Sequence, residues 1–431
     1  MITNIRRAAL VAAATTLLGT VAACGSVQHA RQHDREGSRE DSAAKSGRAT
    51  APAERPFTLL ATGDILSHDS VIRQARSDAA GSGYDFRTML AGVKPLASRA
   101  DLAICHMETV YGRSGGPFTG YPAFKTPPNV AEAIKDTGYE SCSSASNHSM
   151  DDGVEGVRRT LKAMDEAGLK HAGSASSAKQ QTQPTLMKAG GATVAQLAYT
   201  YGTNGIPVPK KKSWAVNLID PQRIIADARA ARRAGADVVV TSLHWGTEWQ
   251  EAPDQQQKTL AKQLTASRTN GRKDIDLIIG THAHVPQAYE KVNGTWVVYG
   301  MGDQIAGKMN DPRGAMSSAA RFTFVPPRGQ ASSGSAEALK DAKAEKGAKA
   351  EKGAKAEKHG KHARTTGKRG EWSVKKAEYI PFFVQTSPRI SAVDLSSEAA
   401  RLGDDRIDAY NKIRKAVLSR GADKQGLRMG R

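Results

Sequence analysis

Long apolar runs and cysteine are both scarce in this sequence. The mean hydropathy is −0.49 and 24% of the 431 residues are charged, a composition that excludes a membrane protein with several spans. The three cysteines are Cys24, Cys105 and Cys142, and none of them falls among the candidate metal ligands described below. We therefore do not expect a structural zinc site, because such sites are built largely from thiolates.

The one clear apolar segment lies at the N-terminus. Residues 1–23 combine Arg6 and Arg7 with an apolar stretch and small residues, which is the pattern of a secretory signal peptide. The sequence VAAC, which ends at Cys24, resembles the bacterial lipobox, in which the cysteine carries the lipid; an ordinary signal peptide with an incidental cysteine is the alternative. We expect an exported chain that is lipid-anchored through Cys24 to the outer face of the cytoplasmic membrane.

The other two cysteines lie in apolar runs that we interpret as neighbouring strands. A disulfide between Cys105 and Cys142 is compatible with an exported protein. Cysteine is also one of the most often buried residue types, and two separate buried thiols are the favoured interpretation.

The rest of the chain divides into a tether, a folded domain and an insert. Residues 24–55 lack periodic apolar positions, which predicts a flexible tether after the lipidated cysteine. The folded domain is predicted over 56–400, and a C-terminal helix or tail is predicted over 401–431. A lysine-rich, low-complexity insert interrupts the domain at 328–370, between two predicted strands, and its recurrent glycine favours irregular chain.

The insert supplies much of the formal net charge of +19. In an exported, anchored chain we expect this charge to meet anionic lipid or an anionic capsule or wall polymer, and we expect no nucleic acid. A solvated spacer without a partner is an equal alternative. The charge is therefore no evidence for what the folded domain does.

Apolar, often β-branched runs alternate with helical patterns along the folded domain. The helical patterns carry apolar residues three and four positions apart and stop at glycine, as in VEGVRRTLKAMDEAG. Such alternation predicts an α/β fold with largely parallel strands. Two further stretches read as hairpins, and a mixed sheet or two packed sheets therefore fits better than a simple doubly wound sheet. The predicted strands with polar ends are FTLLATGD, DLAICHME, YESCSSASNH, DVVVTSLHWG and DLIIGTHAH.

Polar and ionisable residues collect at the carboxyl ends of these five runs, where α/β sheets bind their ligands. His282 and His284 are two positions apart, and alternation along a strand would place both imidazoles on one face. A single histidine at such a place is usually structural, but a set of this size predicts a metal site. The set comprises Asp64, His106, Glu108, Asn147, His148, His244, His282 and His284.

The ligand types restrict the metal. Imidazole, carboxylate and amide oxygen suit Mn, Fe, Zn or Co, and the candidates are too many for one tetrahedral ion. We therefore expect two divalent metal ions bridged by one carboxylate, a pair that could clamp a phosphate and generate hydroxide for attack.

Six motifs resemble those of a known family in order and approximate spacing: TGD, HMET, SNHSMDDG, HWGTEW, GTHAHV and YGMGD. They are similar to those of the CapA family of poly-γ-glutamate capsule-synthesis proteins, which belongs to the calcineurin-like metallophosphoesterase superfamily. The resemblance covers about 57–310 and the β-rich end to about 395. It implies a four-layer αββα sandwich that is metallophosphoesterase-like.

The resemblance also implies roles for individual residues. Asp64 matches the first metal-binding aspartate, Glu108 the bridging carboxylate and Asn147 the amide ligand. His244 and His282 would complete the shell of the second ion, while His284 would serve the first. The catalytic residues would be His148, facing the leaving group, and Asp151, which would orient it.

Aspartates 151 and 152 also have a structural interpretation. Either could cap the helix that begins near Gly153, and Asp152 is the better candidate for that duty.

Three positions depart from the family pattern. Leu66 stands where a histidine ligand is expected, and His68 is an alternative ligand or a surface histidine with equal weight. His106 replaces an asparagine, and it could ligate or hydrogen-bond the metal-bound carboxylate. Asp303 replaces another asparagine and adds negative charge near the site. A weaker shell around the first ion would affect catalytic efficiency more than metal binding.

By resemblance, the chain acts in capsule or poly-γ-glutamate biosynthesis or export, alongside separate capsule synthesis machinery. The mechanistic hypothesis is a dinuclear metal hydrolase. The competing hypothesis is a non-catalytic, metal-dependent polymer-binding or assembly factor. A third hypothesis makes the lysine-rich insert the main functional element.

Overall fold

The computed structural model describes residues 54–327 and 370–431. The predicted signal peptide, Cys24, nearly all of the tether and the lysine-rich insert lie outside the described residues, and they remain predictions. Within the two described ranges, no helix has the length and apolar character that a membrane crossing requires.

The strands in these ranges follow in chain order: β1 (Phe57–Ile65), β2 (Leu102–Met107), β3 (Ser141–Ser143), β4 (Lys170–Ala172), β5 (Thr185–Ala189), β6 (Ala192–Thr200), β7 (Val238–His244), β8 (Arg268–Thr269), β9 (Arg272–Lys273), β10 (Leu277–Thr281), β11 (Tyr289–Val292), β12 (Thr295–Val298), β13 (Asp303–Ile305), β14 (Met316–Val325), β15 (Ser373–Gln385), β16 (Ser391–Asp394) and β17 (Leu427–Met429).

The helices of the same ranges are α1 (Asp69–Asp78), α2 (Arg87–Leu90), α3 (Lys94–Ala97), α4 (Val130–Thr137), α5 (Gly153–Glu166), α6 (Ala178–Gln181), α7 (Pro221–Arg233), α8 (Gln255–Ala266) and α9 (Asp404–Leu418). Short 3₁₀ helices span Lys210–Ala215, Pro312–Ala315 and Ala399–Arg401.

Two mixed sheets organise the described residues. The first is nine-stranded there, in the order β16-β15-β14-β1-β2-β3-β4, with β13 beside the end of β1 and β17 beside β15. Strands β1 to β4 run parallel, whereas β14 to β16 run antiparallel. The second sheet has the order β11-β12-β10-β7-β6-β5, with parallel strands in its centre and antiparallel strands at both edges.

The two sheets pack face to face and each is covered by helices on its outer face. Alternation along β1 shows this directly, because Leu59 joins the apolar core between the sheets and Leu60 joins the core beneath helices α1 to α5. On the other side, Val239 of β7 packs under Ile224 of α7 and Leu264 of α8. The predicted four-layer αββα sandwich is confirmed.

Local signals in the sequence account for several element ends. Helix α4 stops at Gly138, whose φ of 109° is accessible to glycine at little cost. Helix α7 begins after Asp220, whose side chain accepts a hydrogen bond from the backbone N–H of Arg223. The predicted hairpin of β11 and β12 turns at Asn293 and Gly294, both with positive φ.

The C-terminal segment is part of this fold. Ala409, Ile413 and Val417 of α9 are buried in the core between the sheets and beneath β14 and β15. Strand β17 then pairs in parallel with β15. The region 401–431 therefore contributes both a helix and a strand to the layered domain.

The favoured interpretation of two separate thiols was wrong, because Cys105 and Cys142 form a disulfide. The two residues are direct partners in the register of parallel strands β2 and β3, with Cα atoms 4.5 Å apart. Burial alone indicated two inert thiols, whereas the register that brings them together is a tertiary feature.

Candidate metal centre

The carboxyl ends of strands from both sheets meet at one edge of the sandwich. Asp64 lies near the end of β1 and Glu108 follows β2, both in the first sheet. His244 is the last residue of β7 and His282 follows β10, both in the second sheet. The side chains of this edge are almost completely buried, with exposed fractions of 0–6%.

A close backbone approach fixes Asp64. The neighbouring Gly63 lies against Gly302, and a Cβ on Gly63 would come within 1.8 Å of the Gly302 carbonyl oxygen. That contact lets the Asp64 N–H donate to the same oxygen over 3.1 Å and sets Asp64 beside Asp303 in the register of β1 and β13. Glycine at 63 is therefore what brings the two aspartates together.

The expectation that His282 and His284 share a strand face was wrong. Strand β10 ends at Thr281, and the two histidines have φ of 94° and 54° in the loop that follows. Alternation does not apply in such a loop, and their rings lie 6.0 Å apart. The N–H of His282 donates to an oxygen of Asp64 over 3.1 Å, which ties the second sheet to the first.

Trp249 shares this unusual backbone geometry. It has φ of 65°, and its N–H donates to the carbonyl of Ala283, between the two histidines, over 2.9 Å. Left-handed conformations in non-glycine residues cost on the order of 1–3 kcal/mol each and concentrate at functional sites. Three such residues, His282, His284 and Trp249, lie in the two loops that follow β10 and β7. Their number indicates that tertiary packing holds the backbone in this conformation.

Charged and imidazole groups lie within a few ångströms of one another. His106 Nε2 is 3.8 Å from an Asp64 oxygen, and His244 Nε2 is 3.8 Å from a Glu108 oxygen. His284 Nε2 is 3.9 Å from Glu108. These separations exceed a hydrogen bond and leave space between the groups.

Hydrogen bonds orient several rings of the cluster. His284 Nδ1–H donates to Asp303 over 2.8 Å, His106 Nδ1 lies 2.7 Å from the Ser143 hydroxyl, and His244 Nδ1 lies 3.0 Å from the Thr281 hydroxyl. Asn147 Oδ1 is 2.9 Å from His244 Nε2. The Nε2 atoms of His106 and His284 are thereby left facing Asp64 and Glu108, whereas His244 has a partner on both nitrogens.

Burial perturbs the ionisation of the whole cluster. It raises the pKa of Asp64 to about 7, against the lowering effect of His284, and it also raises the pKa of Glu108 and Asp303. Burial lowers the pKa of His106 and His282 to about 3 and that of His244 well below its usual value. For His284, burial is outweighed by the negative charges of Asp303 and Glu108, and its pKa is raised.

The unsatisfied atoms of the cluster fit a cation. Six buried side-chain atoms there have no hydrogen-bond partner among the described residues, and such orphaned atoms are costly. They are Asp64 Oδ1, His106 Nε2, Glu108 Oε1 and Oε2, His282 Nδ1 and Asp303 Oδ2. Divalent cations would satisfy them and reverse the effect of burial on the carboxylates.

Among the described residues, three groups of side chains have ligand atoms close enough to hold an ion, with the ligand atoms of each group within 4.8 Å of one another. The groups are Asp64 with His106, Glu108 and His244; Glu248 with His282 and His284; and Asp64 with His284 and Asp303. His282 and His284 thus reach one common position, and His284 also reaches the position next to Asp303. The donors, nitrogen and carboxylate oxygen without sulfur, suit Mn, Fe, Zn or Co.

His148 and Asp151 form a pair beside this cluster. His148 Nδ1–H donates to an Asp151 oxygen over 2.7 Å, and the backbone N–H of Phe124 donates to the same oxygen over 2.8 Å. The Phe124 ring meets the His148 ring edge-on, with centroids 4.7 Å apart. Asp151 is thereby fixed, and it sets which nitrogen of His148 carries the proton.

Asp152 does not cap the following helix, contrary to expectation. It immediately precedes α5, but its side chain makes no capping hydrogen bond. Its carboxylate instead forms ion pairs with Arg159 and, at 3.4 Å, with Lys125. Two cations compete successfully with the backbone N–H groups for this side chain.

His68 lies near the cluster without joining any of the three groups. Its Nδ1 accepts a hydrogen bond from Gly307 N–H over 3.1 Å, and its ring packs against Phe124. Burial, and then the nearby His284 and His148, lower its pKa to about 4. Leu66 is buried in a small apolar cluster with Phe124 and Ala306.

Sequence reasoning did not place three residues that border the centre. The ring of Tyr201 lies 4.4 Å from that of His282, and the ring of Trp249 lies 5.5 Å from that of His284. One oxygen of the exposed Glu248 lies within 4.8 Å of ligand atoms of His282 and His284. Tyr201 directly follows β6, so the rule of carboxyl strand ends could have found it.

Comparisons with known proteins find similar sequences among capsule synthesis proteins. The family model of the bacterial capsule synthesis protein PGA_cap matches residues 58–308. The PGA biosynthesis protein CapA of Bacillus subtilis (strain 168) is 31% identical over 268 residues, which is 60% of this chain and 67% of that protein. The capsule biosynthesis protein CapA of Bacillus anthracis is 27% identical over 177 residues, which is 40% of this chain and 42% of that protein.

Solved structures give more distant likenesses. The calcineurin-like phosphoesterase YfkN from Bacillus subtilis has a TM-score of 0.39 at 13% identity, with 85% of this chain and 99% of that chain covered. The NAD nucleotidase of Haemophilus influenzae has a TM-score of 0.40 at 12% identity, with 84% of this chain and 63% of that chain covered.

Proposed function

Because the chain belongs to the bacterial capsule synthesis family PGA_cap, we propose that it is an exported, lipid-anchored factor in the biosynthesis or export of a capsule or poly-γ-glutamate polymer. Its folded domain is a metal-dependent hydrolase. The names of the two Bacillus relatives, a PGA biosynthesis protein and a capsule biosynthesis protein, support the role in capsule or polymer biosynthesis. The candidate metal centre supports metal-dependent hydrolysis.

One observation carries the proposal of hydrolysis. Six unpartnered, buried ligand atoms converge from two sheets at one place, and a fold retains such costly groups only where something compensates for them. Divalent ions held there supply Lewis-acid polarisation of the substrate and a lowered pKa of water. The residues that would hold them are Asp64, His106, Glu108, His244, His282, His284 and Asp303 from the three groups, with Asn147 beside His244.

The His148–Asp151 pair provides the second chemical element. His148 is only 6% exposed and stands at the border of the cluster, with Nδ1 committed to Asp151. Its Nε2 is therefore the atom that gives a proton to a leaving group, while Asp151 holds the ring and stabilises its charged form. Positioned proton transfer of this kind contributes typically 10²–10⁴-fold to a rate.

A non-catalytic, metal-dependent polymer-binding role is the second candidate function. Buried Leu66 favours it, since an apolar residue occupies a position where the family resemblance implies a histidine ligand. A centre with fewer ligands around one ion could bind a polymer through the metal without hydrolysing it.

Metal analysis of the purified full chain, followed by a hydrolysis panel, distinguishes these functions. We expect the purified chain to contain bound transition metal and to hydrolyse a phosphoester or an amide. In His282→Ala, both the bound metal and the turnover should be lost. Metal without turnover on any class of bond would favour the binding role. A chain that takes up no transition metal at all would contradict both.

A further inference from the structure

Glu248 stands at the mouth of the candidate metal centre. It is exposed to solvent, yet one of its oxygens lies within 4.8 Å of ligand nitrogens of both His282 and His284.

The loop that carries Glu248 is held in place. On one side Gly246 adopts φ of 94°, and on the other Trp249 adopts φ of 65° and donates its N–H to Ala283. The Thr247 hydroxyl donates to Asp254 over 3.1 Å, at the start of α8. The backbone that carries Glu248 is therefore held beside the histidines.

The side chains that face the centre include more negatively charged groups than lysine or arginine groups. Four carboxylates face it, from Asp64, Glu108, Glu248 and Asp303. The ion-pair contacts of Asp64, Glu108 and Asp303 are with histidines, and no lysine or arginine of residues 54–327 and 370–431 lies within ion-pair distance of any of the four. Even two divalent cations would do no more than cancel these four charges.

This balance matters for the class of bond that the centre can accept. Sites that transfer phosphoryl groups surround the charged oxygens with cations such as arginine, lysine and metal. A phosphate dianion would enter here past Glu248, with no surplus of positive charge to receive it. The carbonyl of an amide is uncharged and requires no such surplus.

From this geometry we propose that Glu248 is a specificity-determining residue, which disfavours phosphate-bearing substrates and reserves the centre for uncharged acyl groups such as an amide. The proposal rests on the metal centre of the proposed function and names its substrate class. The faces of Tyr201 and Trp249 on either side of the histidines suit a planar amide. In the hydrolysis, the oxygen of water adds to the carbonyl carbon and the C–N bond breaks. His148 supplies the proton that the leaving nitrogen requires, one proton of the water restores His148, and the other passes from the new carboxylic acid to the amine, which yields a carboxylate and an ammonium group.

Inorganic phosphate is the probe that tests this proposal. The full chain, its Glu248→Gln variant and a matched Glu251→Gln control would be loaded with Mn²⁺, and phosphate binding would be measured by calorimetry. Glu251 lies on the same loop but pairs with Arg313 at 3.2 Å, outside the ligand groups. We expect Glu248→Gln to bind phosphate about tenfold more tightly than the unmodified chain, as removal of one nearby charge predicts. The Glu251→Gln control should be unchanged.

The metal content of each protein separates the outcomes. Equal Mn²⁺ in all three with tighter phosphate binding only in Glu248→Gln would support the proposal. Unchanged phosphate affinity would overturn it, and so would loss of Mn²⁺ from Glu248→Gln, since Glu248 would then be a ligand. If the unmodified chain holds no metal, the proposed function itself fails.

Discussion

At the scale of single residues, the fold makes the charged form of the Asp64 side chain unfavourable. It is fully buried, its neighbours include Asp303 and Glu108, and its pKa rises from 3.8 to about 7. A carboxyl group whose folded pKa is raised destabilises the folded state as pH rises through the interval between the two values. For Asp64 the penalty develops between about pH 4 and pH 7 and is complete above pH 7.

Replacing Asp64 with asparagine should therefore stabilise the metal-free protein. A pKa change from 3.8 to about 7 corresponds to roughly 4 kcal/mol at about 1.4 kcal/mol per pKa unit. We expect metal-free Asp64→Asn to unfold at higher urea than the unmodified chain at pH 8, with an advantage that shrinks toward pH 4. Added Mn²⁺ should stabilise only the unmodified chain. Equal unfolding midpoints at pH 8 would contradict this account.

Asp151→Asn should impair proton transfer and leave metal binding intact. The amide cannot stabilise a charged His148 ring, and we expect turnover on a hydrolysable substrate to fall about a hundredfold or more, with KM nearly constant. The matched control is Asp165→Asn, because Asp165 also contacts a histidine, His171, at 3.2 Å, but outside the centre. Similar losses in both variants would indicate a structural effect only.

At the scale of elements, part of the site follows from sequence pattern and part does not. The ends of β1, β2 and β7 could be predicted because apolar runs give way to polar residues there, and parallel strands bring such ends to one edge. The left-handed loop of His282 and His284 could not, since strand alternation carries no information beyond Thr281. The same limit applies to Glu248, whose position depends on how the β7 and β10 loops pack.

The close approach of β1 and β13 predicts the result of a single added methyl group. In Gly63→Ala, the new Cβ would collide with the Gly302 carbonyl and force Asp64 and Asp303 apart. We expect about 1–3 kcal/mol or more of lost stability in urea unfolding, and Mn²⁺ affinity measured by calorimetry should fall more than tenfold.

A glycine in open space serves as the comparison. Gly115 has no atom within 4 Å of an added Cβ, so Gly115→Ala should match the unmodified chain in both measurements. Metal affinity in Gly63→Ala that equals that of Gly115→Ala would show that the approach of the strands does not position the centre.

At the scale of the whole molecule, the described domain and the proposed anchor are separate contributions. The metal centre is contained in residues 54–327, whereas Cys24 lies outside the described residues. Cys24→Ser should move the chain from the membrane fraction to the soluble exported fraction, because a lipid chain would no longer be attached. Metal content per chain should not change. A variant that stays with membranes would contradict anchoring through this cysteine.

Deletion of residues 328–369 tests whether the insert is the main functional element. Strands β14 and β15 pair with each other up to Val325 and Ser373, so their register does not require the insert. We expect the deletion to retain metal content and turnover, and to weaken binding to vesicles that contain anionic lipid in a sedimentation assay. Loss of turnover with metal retained would instead favour the insert as the functional element.

The topology is nested, since all six strands of the second sheet lie in the sequence between β4 and β13 of the first. This nesting dictates an order of assembly. A chain that crosses a membrane from its N-terminus delivers Asp64 and Glu108 early, then all the histidines of the second sheet, and only afterwards Asp303 and the strands that complete the first sheet. A partly translocated chain therefore lacks a finished cation cage. If the chain is exported as proposed, metal loading would therefore report that the chain has arrived on the far side at least as far as Asp303.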